Sequence, residues 1–304
     1  MVDALCNAVE TETLAQTLLF TGPIGAGKKT LADKVVQKLF CPDMCGRCKS
    51  CQMLTRHTHP DYSVIIPDDI LKLDHARQVK SFLSTSPNTA AHKVAVLADC
   101  HKLTVEAANS LLKVLEEPPP ASICILTADS VDNVLSTLVS RSQVYNLAPL
   151  PHAMVMDVLR DRGVSSDQAQ ILAGLSAGVL GRALAMLEDE EFWTQRRHFS
   201  QSIRELFAGA QDPILLAERW CESPERSLDL AETWLRDMLL LQTTPDYVPV
   251  NNDERESIEA CIGRCPKDKT MILLEECLLA RRRLRARCNS RLVFDSLLLK
   301  MWEV

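Results

Sequence analysis

The segment Thr17-Leu-Leu-Phe-Thr21 leads directly into Gly22-Pro-Ile-Gly-Ala-Gly27-Lys28. A short apolar run, a glycine-rich loop and the helix-period stretch 31–40 together predict a strand, a loop and a helix. The loop fits the pattern G-x-x-x-x-G-K, which points backbone N–H groups and a helix N-terminus at phosphates. The candidate phosphate-binding residues are therefore Gly22, Gly25, Gly27 and Lys28.

The residue after the loop lysine departs from this pattern. A serine or threonine hydroxyl normally binds Mg²⁺ at that position, and the chain has Lys29 instead. Thr30 comes one residue late, which rotates its side chain about 100° around the helix and away from the metal. The backbone cradle and Lys28 are kept, so the sequence leaves open whether phosphate or a nucleotide binds, while Mg²⁺-assisted hydrolysis is not expected.

A second motif supports the same expectation. The apolar run 93–98 predicts a strand that ends at Ala98-Asp99. Hydrolytic P-loop proteins have adjacent acidic residues there, an Asp that holds the metal and a Glu that polarises water. Asp99 takes the second position, and Ala98 replaces the metal-binding residue. Two losses at one metal ion predict that the chain does not hydrolyse ATP.

Further apolar runs at 64–67 and 123–127 predict two more strands, each separated from the next by a helical pattern. Runs that are apolar throughout have no wet face, which is typical of a parallel sheet covered on both sides. The fold class is therefore an α/β domain with a parallel sheet over 1–149. Beyond it the pattern becomes helical, and we predict a small helical domain over 150–205 and an all-α C-terminal domain over 206–304.

Four of the twelve cysteines fall within eleven residues, directly after the helix of the phosphate loop. Their spacing is C-x₃-C-x₂-C-x₂-C, and four thiolates match tetrahedral Zn²⁺ with no open coordination position. This predicts a structural zinc site rather than a catalytic one, with a redox disulfide pair as the alternative. His57 and His59 lie near in sequence and are not needed as ligands. The predicted ligands are Cys41, Cys45, Cys48 and Cys51.

The composition narrows the possible functions. The 304 residues include 46% hydrophobic and 24% charged residues, and the formal net charge of −6 argues against general electrostatic binding of nucleic acid. No apolar run is long enough for a membrane span, and the start has no signal-peptide pattern, so a cytoplasmic protein is expected. The run 281–287 contains five arginines; a solvated helix face is favoured there, with nucleic-acid contact as the alternative.

Several segments resemble the clamp-loader subunits of bacterial DNA polymerase III, which are AAA+ proteins. They are Asn109-Ser-Leu-Leu-Lys-Val-Leu-Glu-Glu-Pro-Pro119, His59-Pro60-Asp61 and Ser140-Arg141-Ser142. About 100 residues of the first domain match, and the helical remainder matches more weakly. The resemblance is to the branch whose nucleotide motifs are spoiled while a Ser-Arg-Cys motif is kept, with Ser142 in place of the cysteine.

This resemblance implies that Arg141 is an arginine finger, offered to ATP held by a neighbouring subunit, although an ordinary surface arginine is the alternative. Arg182 stands at the family's second sensor position. The adenine-site box before the first strand is absent. The implied partners are gamma/tau-type and delta-type subunits in a hetero-pentamer, with the sliding clamp and primed DNA reached through the assembly and no membrane contact.

Three functions compete. The first is a non-hydrolysing clamp-loader subunit that gives structural support and the trans arginine. The second is an ATP-hydrolysing subunit of the same family, in which Thr30 or a water replaces the missing ligand. The third is a zinc-dependent nucleic-acid-binding module. Lys29 and Ala98 argue against the second, and the net charge and the closed four-cysteine set argue against the third.

Overall fold

The computed structural model describes residues 1–67, 69–244 and 246–303. The chain divides into two compact units, Met1–Pro149 and Leu150–Val304. Within the described ranges, no helix combines the length and the apolar character that crossing a membrane requires. The first unit contains the strands β1 Thr17–Thr21, β2 Tyr62–Ile65, β3 Lys93–Leu97, β4 Ser122–Ala128 and β5 Gln143–Asn146, and the helices α1 Val2–Glu10, α2 Lys28–Phe40, α3 Lys49–Thr55, α4 Leu73–Leu83, α5 Val105–Glu116 and α6 Ser136–Val139.

The five strands form one parallel sheet in the order β2-β3-β4-β1-β5, which confirms the predicted α/β class. Every residue of β1, β3 and β4 is buried, because helices cover both faces. Alternate residues face opposite layers: Leu19 packs into the cluster with α4 and α5, and Leu18 and Phe20 pack with α1 and α2. Each such side chain contributes about 1.5–3 kcal/mol of burial free energy.

The structure adds a strand that the sequence patterns did not predict. β5 pairs with β1 at the edge of the sheet, with Leu18 opposite Gln143 and Thr21 opposite Asn146. Three of its four residues are exposed, so it lacks the apolar run that marks the other strands. β2 also begins and ends two residues earlier than the predicted 64–67, because Ile66 and Pro67 lie beyond the paired segment.

The turn after β1 is joined to β5 by close backbone contact. The Leu147 N–H donates to the Thr21 carbonyl at 2.7 Å. Gly22 has φ +143°, and a Cβ added there would lie 2.5 Å from the Leu147 carbonyl oxygen. Only glycine fits this position, because any side chain would clash with the main chain of Leu147, which is hydrogen-bonded to Thr21.

The second unit is entirely helical in the described residues. Its apolar core extends from Val155 to Met301 and includes Phe199, which stacks on Trp220 at 5.3 Å between ring centroids. The predicted division at 205/206 falls within α10, and it stays a prediction. The helices are α7 His152–Asp161, α8 Ser166–Leu175, α9 Leu180–Glu188, α10 Glu190–Phe207, α11 Pro213–Trp220, α12 Pro224–Thr243, α13 Arg255–Ile262, α14 Lys267–Arg285 and α15 Ser290–Trp302.

A buried carboxylate just before β2 holds the loop that leads into β3. Asp61 is fully buried and accepts hydrogen bonds from the backbone N–H groups of Asn88, Thr89 and Ala90 at 2.7–3.0 Å, and from two side chains of the same loop. Burial alone would raise the pKa of Asp61, but the backbone donors offset it and lower the pKa to about 2. The carboxylate is therefore charged in the folded protein at neutral pH.

Replacement of Asp61 by Asn should lower the free energy of unfolding by about 2–4 kcal/mol, because the amide turns an NH₂ group towards backbone donors and leaves them unsatisfied. The folded-state pKa lies below the ordinary value of 3.8. The Asp61 contribution is therefore complete above about pH 5 and declines as the pH falls through 3.8 towards 2. Chemical denaturation from pH 7 to pH 3 measures both effects.

Asp74→Asn is the control, because Asp74 is 90% exposed in its pair with Arg77 and its loss should change stability by less than about 0.5 kcal/mol. Equal stabilities for the Asp61 and Asp74 variants would contradict the anchoring role.

Candidate functional site

The glycine-rich loop lies between the end of β1 and the start of α2, as the sequence predicts. Gly25 and Gly27 have φ of 88° and 90°, and the helix begins directly at Lys28. The Lys28 ammonium donates to the carbonyl oxygens of Gly22 at 2.5 Å and Pro23 at 3.0 Å. These contacts hold the lysine against its own loop.

Two carboxylates lie close enough to Lys28 to affect its titration. Burial lowers the pKa of Lys28, and the charges of Asp99 and Asp129 partly oppose that shift. Asp99 follows β3 in the left-handed region with φ 51°, and its N–H donates to the Thr127 hydroxyl at 3.1 Å. Asp129 follows β4, so the carboxyl ends of β1, β3 and β4 bring these groups together. Sequence reasoning missed Thr127 and Asp129, although their position at the end of an apolar run was the available signal.

Lys29 and Ala98 stand at the two metal-ligand positions, and neither has a side-chain oxygen. Lys29 and Thr30 are both exposed on the first turn of α2. Lys29 lines a cleft of about 300 Å³ together with His57, Tyr62, Val64 and Ile66. Ala98 directly follows β3 and has no polar side-chain atom.

Arg141 lies at the opposite end of the sheet from this loop. It comes two residues before β5, and the pairing of Leu18 with Gln143 places it level with the beginning of β1. The glycine-rich loop follows the end of β1. The length of a five-residue strand, about 16 Å, therefore separates the loop from Arg141. The Arg141 side chain is 31% exposed and pairs with Glu116 of the same unit.

Arg182 lies on α9 and pairs with Asp229 of α12. Asp229 also accepts from Arg281 at 2.7 Å, and Arg281 donates to both oxygens of Glu232 at 2.8–2.9 Å. The arginine-rich run is thus divided. Its first member joins this ion-pair network, and the other four side chains are exposed: Arg282, Arg283, Arg285 and Arg287.

Cys41 and Cys45 lie between α2 and α3, Cys48 caps α3 and Cys51 lies in its first turn. The four sulfur atoms are all within 4.8 Å of one another. Four sulfurs at about 2.3 Å from one Zn²⁺ would be separated by about 3.8 Å, so the spacing fits a tetrahedral ion. The Cys41 and Cys45 sulfurs are 3.6 Å apart, too far for a disulfide of about 2.05 Å. The predicted cysteine cluster is confirmed as a group that could hold a metal ion.

The four-cysteine segment 41–51, here called the cysteine knuckle, has a backbone geometry that suits anionic sulfur. The N–H groups of Cys45, Cys48 and Cys51 each donate to the sulfur of the preceding cysteine at 3.4–3.5 Å. Backbone donors from Arg47 and Cys48 lower the pKa of the Cys45 thiol to about 6, so it is a thiolate at neutral pH. Burial raises the pKa of Cys51 to about 11, and a bound cation would supply the charge that removes that proton.

A phosphate loop after the first strand of a 5-1-4-3-2 parallel sheet, with a cysteine knuckle after the loop helix, defines the first unit as a P-loop AAA+ domain. Residues 1–151 match the family model described as DNA polymerase III, delta subunit, and residues 190–303 match the model of its C-terminal region.

The chain is 28% identical over 300 residues to the DNA polymerase III subunit delta' of Pseudomonas aeruginosa, covering 94% of this chain and 91% of that one. It is 32% identical over 232 residues to the subunit delta' of Escherichia coli, covering 73% and 69%. A solved gamma subunit-related protein of Thermotoga maritima covers 99% of this chain and 98% of its own, at 17% identity and a TM-score of 0.46. The chain belongs to the delta-prime branch of the DNA polymerase III clamp-loader family.

We expect the purified protein to carry about one metal ion per chain. Cys48→Ser should reduce that content strongly, because serine does not supply a thiolate. A strong chelator should lower the melting temperature of the wild-type protein, since the binding free energy of a structural metal adds to folding. Metal analysis and thermal unfolding measure both.

Cys288→Ser is the matched control, since Cys288 is exposed and lies outside the knuckle. Full metal content in the Cys48 variant, or metal-free wild-type protein after reductive purification, would contradict the site.

Proposed function

We propose that the chain is a non-hydrolysing delta-prime subunit of the replicative clamp loader, which supports the assembly and offers Arg141 to the ATP site of a neighbouring subunit. The observation that carries this proposal is the paired replacement of the metal ligands by Lys29 and Ala98, at a loop whose lysine is bound to its own carbonyls.

The positions of the replaced residues support the absence of hydrolysis. A Mg²⁺ ion bound to ATP requires oxygen ligands from the loop helix and from the end of β3. Lys29 brings a positive charge to the first of these positions, and Ala98 brings a methyl group to the second. Thr30 is exposed one residue further along α2, so its hydroxyl does not replace the missing ligand.

The position of Arg141 supports a role in trans. An arginine side chain is shorter than the strand that separates Arg141 from the loop, so it does not serve the phosphate site of its own chain. The Arg141 side chain lies just before an edge strand and is 31% exposed, so a second subunit can reach it. The planar guanidinium suits the charge that builds on a transferred phosphoryl group, and such arginines are worth about 10³–10⁵ in rate.

The knuckle would hold Zn²⁺ as a structural ion through Cys41, Cys45, Cys48 and Cys51. A complete set of four thiolates has no position for water or substrate, so the ion would brace the connection between α2 and β2.

The helical unit would supply the assembly surface. Large apolar side chains point outward from its last two helices, among them Leu278 and Leu292, which are 53% and 69% exposed, and Trp302, which is 49% exposed. A grouping of this kind is typical of surfaces that pack against other subunits. The proposed partners are gamma/tau-type and delta-type subunits, with the clamp and primed DNA reached through the assembly.

The isolated protein should hydrolyse ATP only at the background rate, because the loop lacks both metal ligands. Steady-state phosphate release, measured with Mg²⁺ and saturating ATP, checks this. Lys28→Ala should leave the rate unchanged. Turnover above about 1 s⁻¹, the low end of ordinary enzyme rates, that is abolished by Lys28→Ala would refute the proposal.

In the assembled loader, Arg141→Ala should slow hydrolysis at the adjoining ATP site by about 10²-fold or more, because the transition state loses its guanidinium. Arg141→Lys should restore little, since a point charge lacks the two-pronged geometry. Single-turnover measurement at that site is the readout, with subunit stoichiometry and metal content as controls. An unchanged rate in a fully assembled complex would reduce Arg141 to a surface residue.

A further inference from the structure

The side chain of Arg141 is bound on several sides by its own chain. Its Nε and Nη2 both donate to Glu116 Oε1, with the Nε contact at 2.6 Å. Its Nη1 donates to the Thr137 carbonyl at 3.0 Å and to the Ser140 hydroxyl at 3.3 Å. All three guanidinium nitrogens therefore have partners within the subunit, and the edge that would bind a phosphate is largely occupied.

Glu116 lies at a position where an unpaired carboxylate is unfavourable. It is the last residue of α5, and Glu117 follows it as the C-cap. The carboxyl end of a helix carries partial negative charge, so two adjacent acids there repel both the helix dipole and each other. The pairing with Arg141 offsets this repulsion, and removal of Arg141 from Glu116 restores it. The negative charge at the end of α5 thus favours the pairing of Glu116 with Arg141.

The pair is also accessible enough to be broken. The side chains of Arg141 and Glu116 are 31% and 46% exposed, and exposed ion pairs are weak. A phosphate group carries more charge than one carboxylate and accepts two parallel hydrogen bonds from a guanidinium. A neighbouring nucleotide site can therefore compete with Glu116 for the same donors.

We propose that Glu116 is a positioning residue that holds Arg141 withdrawn on its own subunit until the neighbour's nucleotide phosphates displace it. This inference rests on the proposed function of Arg141 as a trans arginine. The exchange transfers hydrogen bonds and an ion pair from a carboxylate to a phosphate, and no covalent bond changes. Glu116 thereby slows hydrolysis at the adjoining site until primed DNA, which stimulates the assembled loader, brings the neighbour's phosphates close enough to compete for Arg141.

The test uses the complete clamp loader with wild-type ATPase subunits and compares single-turnover hydrolysis at the adjoining site with and without primed DNA. Glu116→Gln removes the charge and keeps the shape, and Glu116→Ala removes the acceptor. Both should raise the DNA-free rate about two- to fivefold, which is the range expected for loss of one exposed ion pair. The DNA-stimulated rate should change less, because Arg141 has by then left Glu116.

Glu117→Gln is the matched control, since Glu117 is an exposed neighbouring acid at the same helix end and does not bind Arg141. It should leave both rates at the wild-type values. The double variant Glu116→Gln with Arg141→Ala should be as slow as Arg141→Ala alone, because the gain passes through the arginine. A residue that only supports the fold would lower the rate when replaced and would not raise it.

If Arg141→Ala slows hydrolysis while both Glu116 variants stay at or below the wild-type rate without DNA, the withdrawn state is wrong and the trans arginine stands. If Arg141→Ala has no effect in a verified assembly, the proposed function fails and the positioning role fails with it.

Discussion

The parallel pairing of β1 with β5 sets the geometry of the first unit. Just beyond the paired strands, Gly22 packs against the Leu147 carbonyl so closely that a Cβ on Gly22 would lie 2.5 Å from that oxygen. The pairing holds the phosphate loop at one end of the two strands and Arg141 at the other. Because paired strands cannot slide past each other without losing their hydrogen bonds, the separation between these two groups is built into the sheet.

This separation makes the two ends of the sheet structurally independent of each other. The loop retains its glycine conformations, which backbone geometry requires, while the side chains that would bind a metal are replaced. The far end of the sheet does not depend on those side chains. Its arginine is held by α5 and α6, so its position does not depend on which residues stand in the loop.

Buried carboxylates stabilise irregular segments in both units. Asp61 gathers the N–H groups of the loop before β3. Asp237, also fully buried, accepts from the Tyr247 hydroxyl and from the N–H groups of Val250 and Asn251 at 2.8–3.0 Å in the helical unit. In each case a single acceptor satisfies several main-chain donors that have no strand or helix partner, and this offsets the cost of burying a charge.

Local patterns were enough to predict much of this protein. The continuous apolar runs identified four strands, the loop motif and the cysteine spacing lie within short segments, and the losses at Lys29 and Ala98 are visible as single letters. Such features are encoded by residues that are near in sequence and share a secondary-structure period. β5 was missed because an edge strand needs no apolar alternation, so its polar residues resemble a loop.

Contacts between distant segments required the folded chain. Glu116 and Arg141 are 25 residues apart, Arg182 and Asp229 are 47 apart, and Asp61 reaches across 27 to 29 residues to its loop. A charged residue in a sequence has many possible partners of opposite sign, and strand order and helix packing select among them. The sequence therefore identified Arg141 as a candidate, and the pairing of β5 and the end of α5 determined which carboxylate holds it.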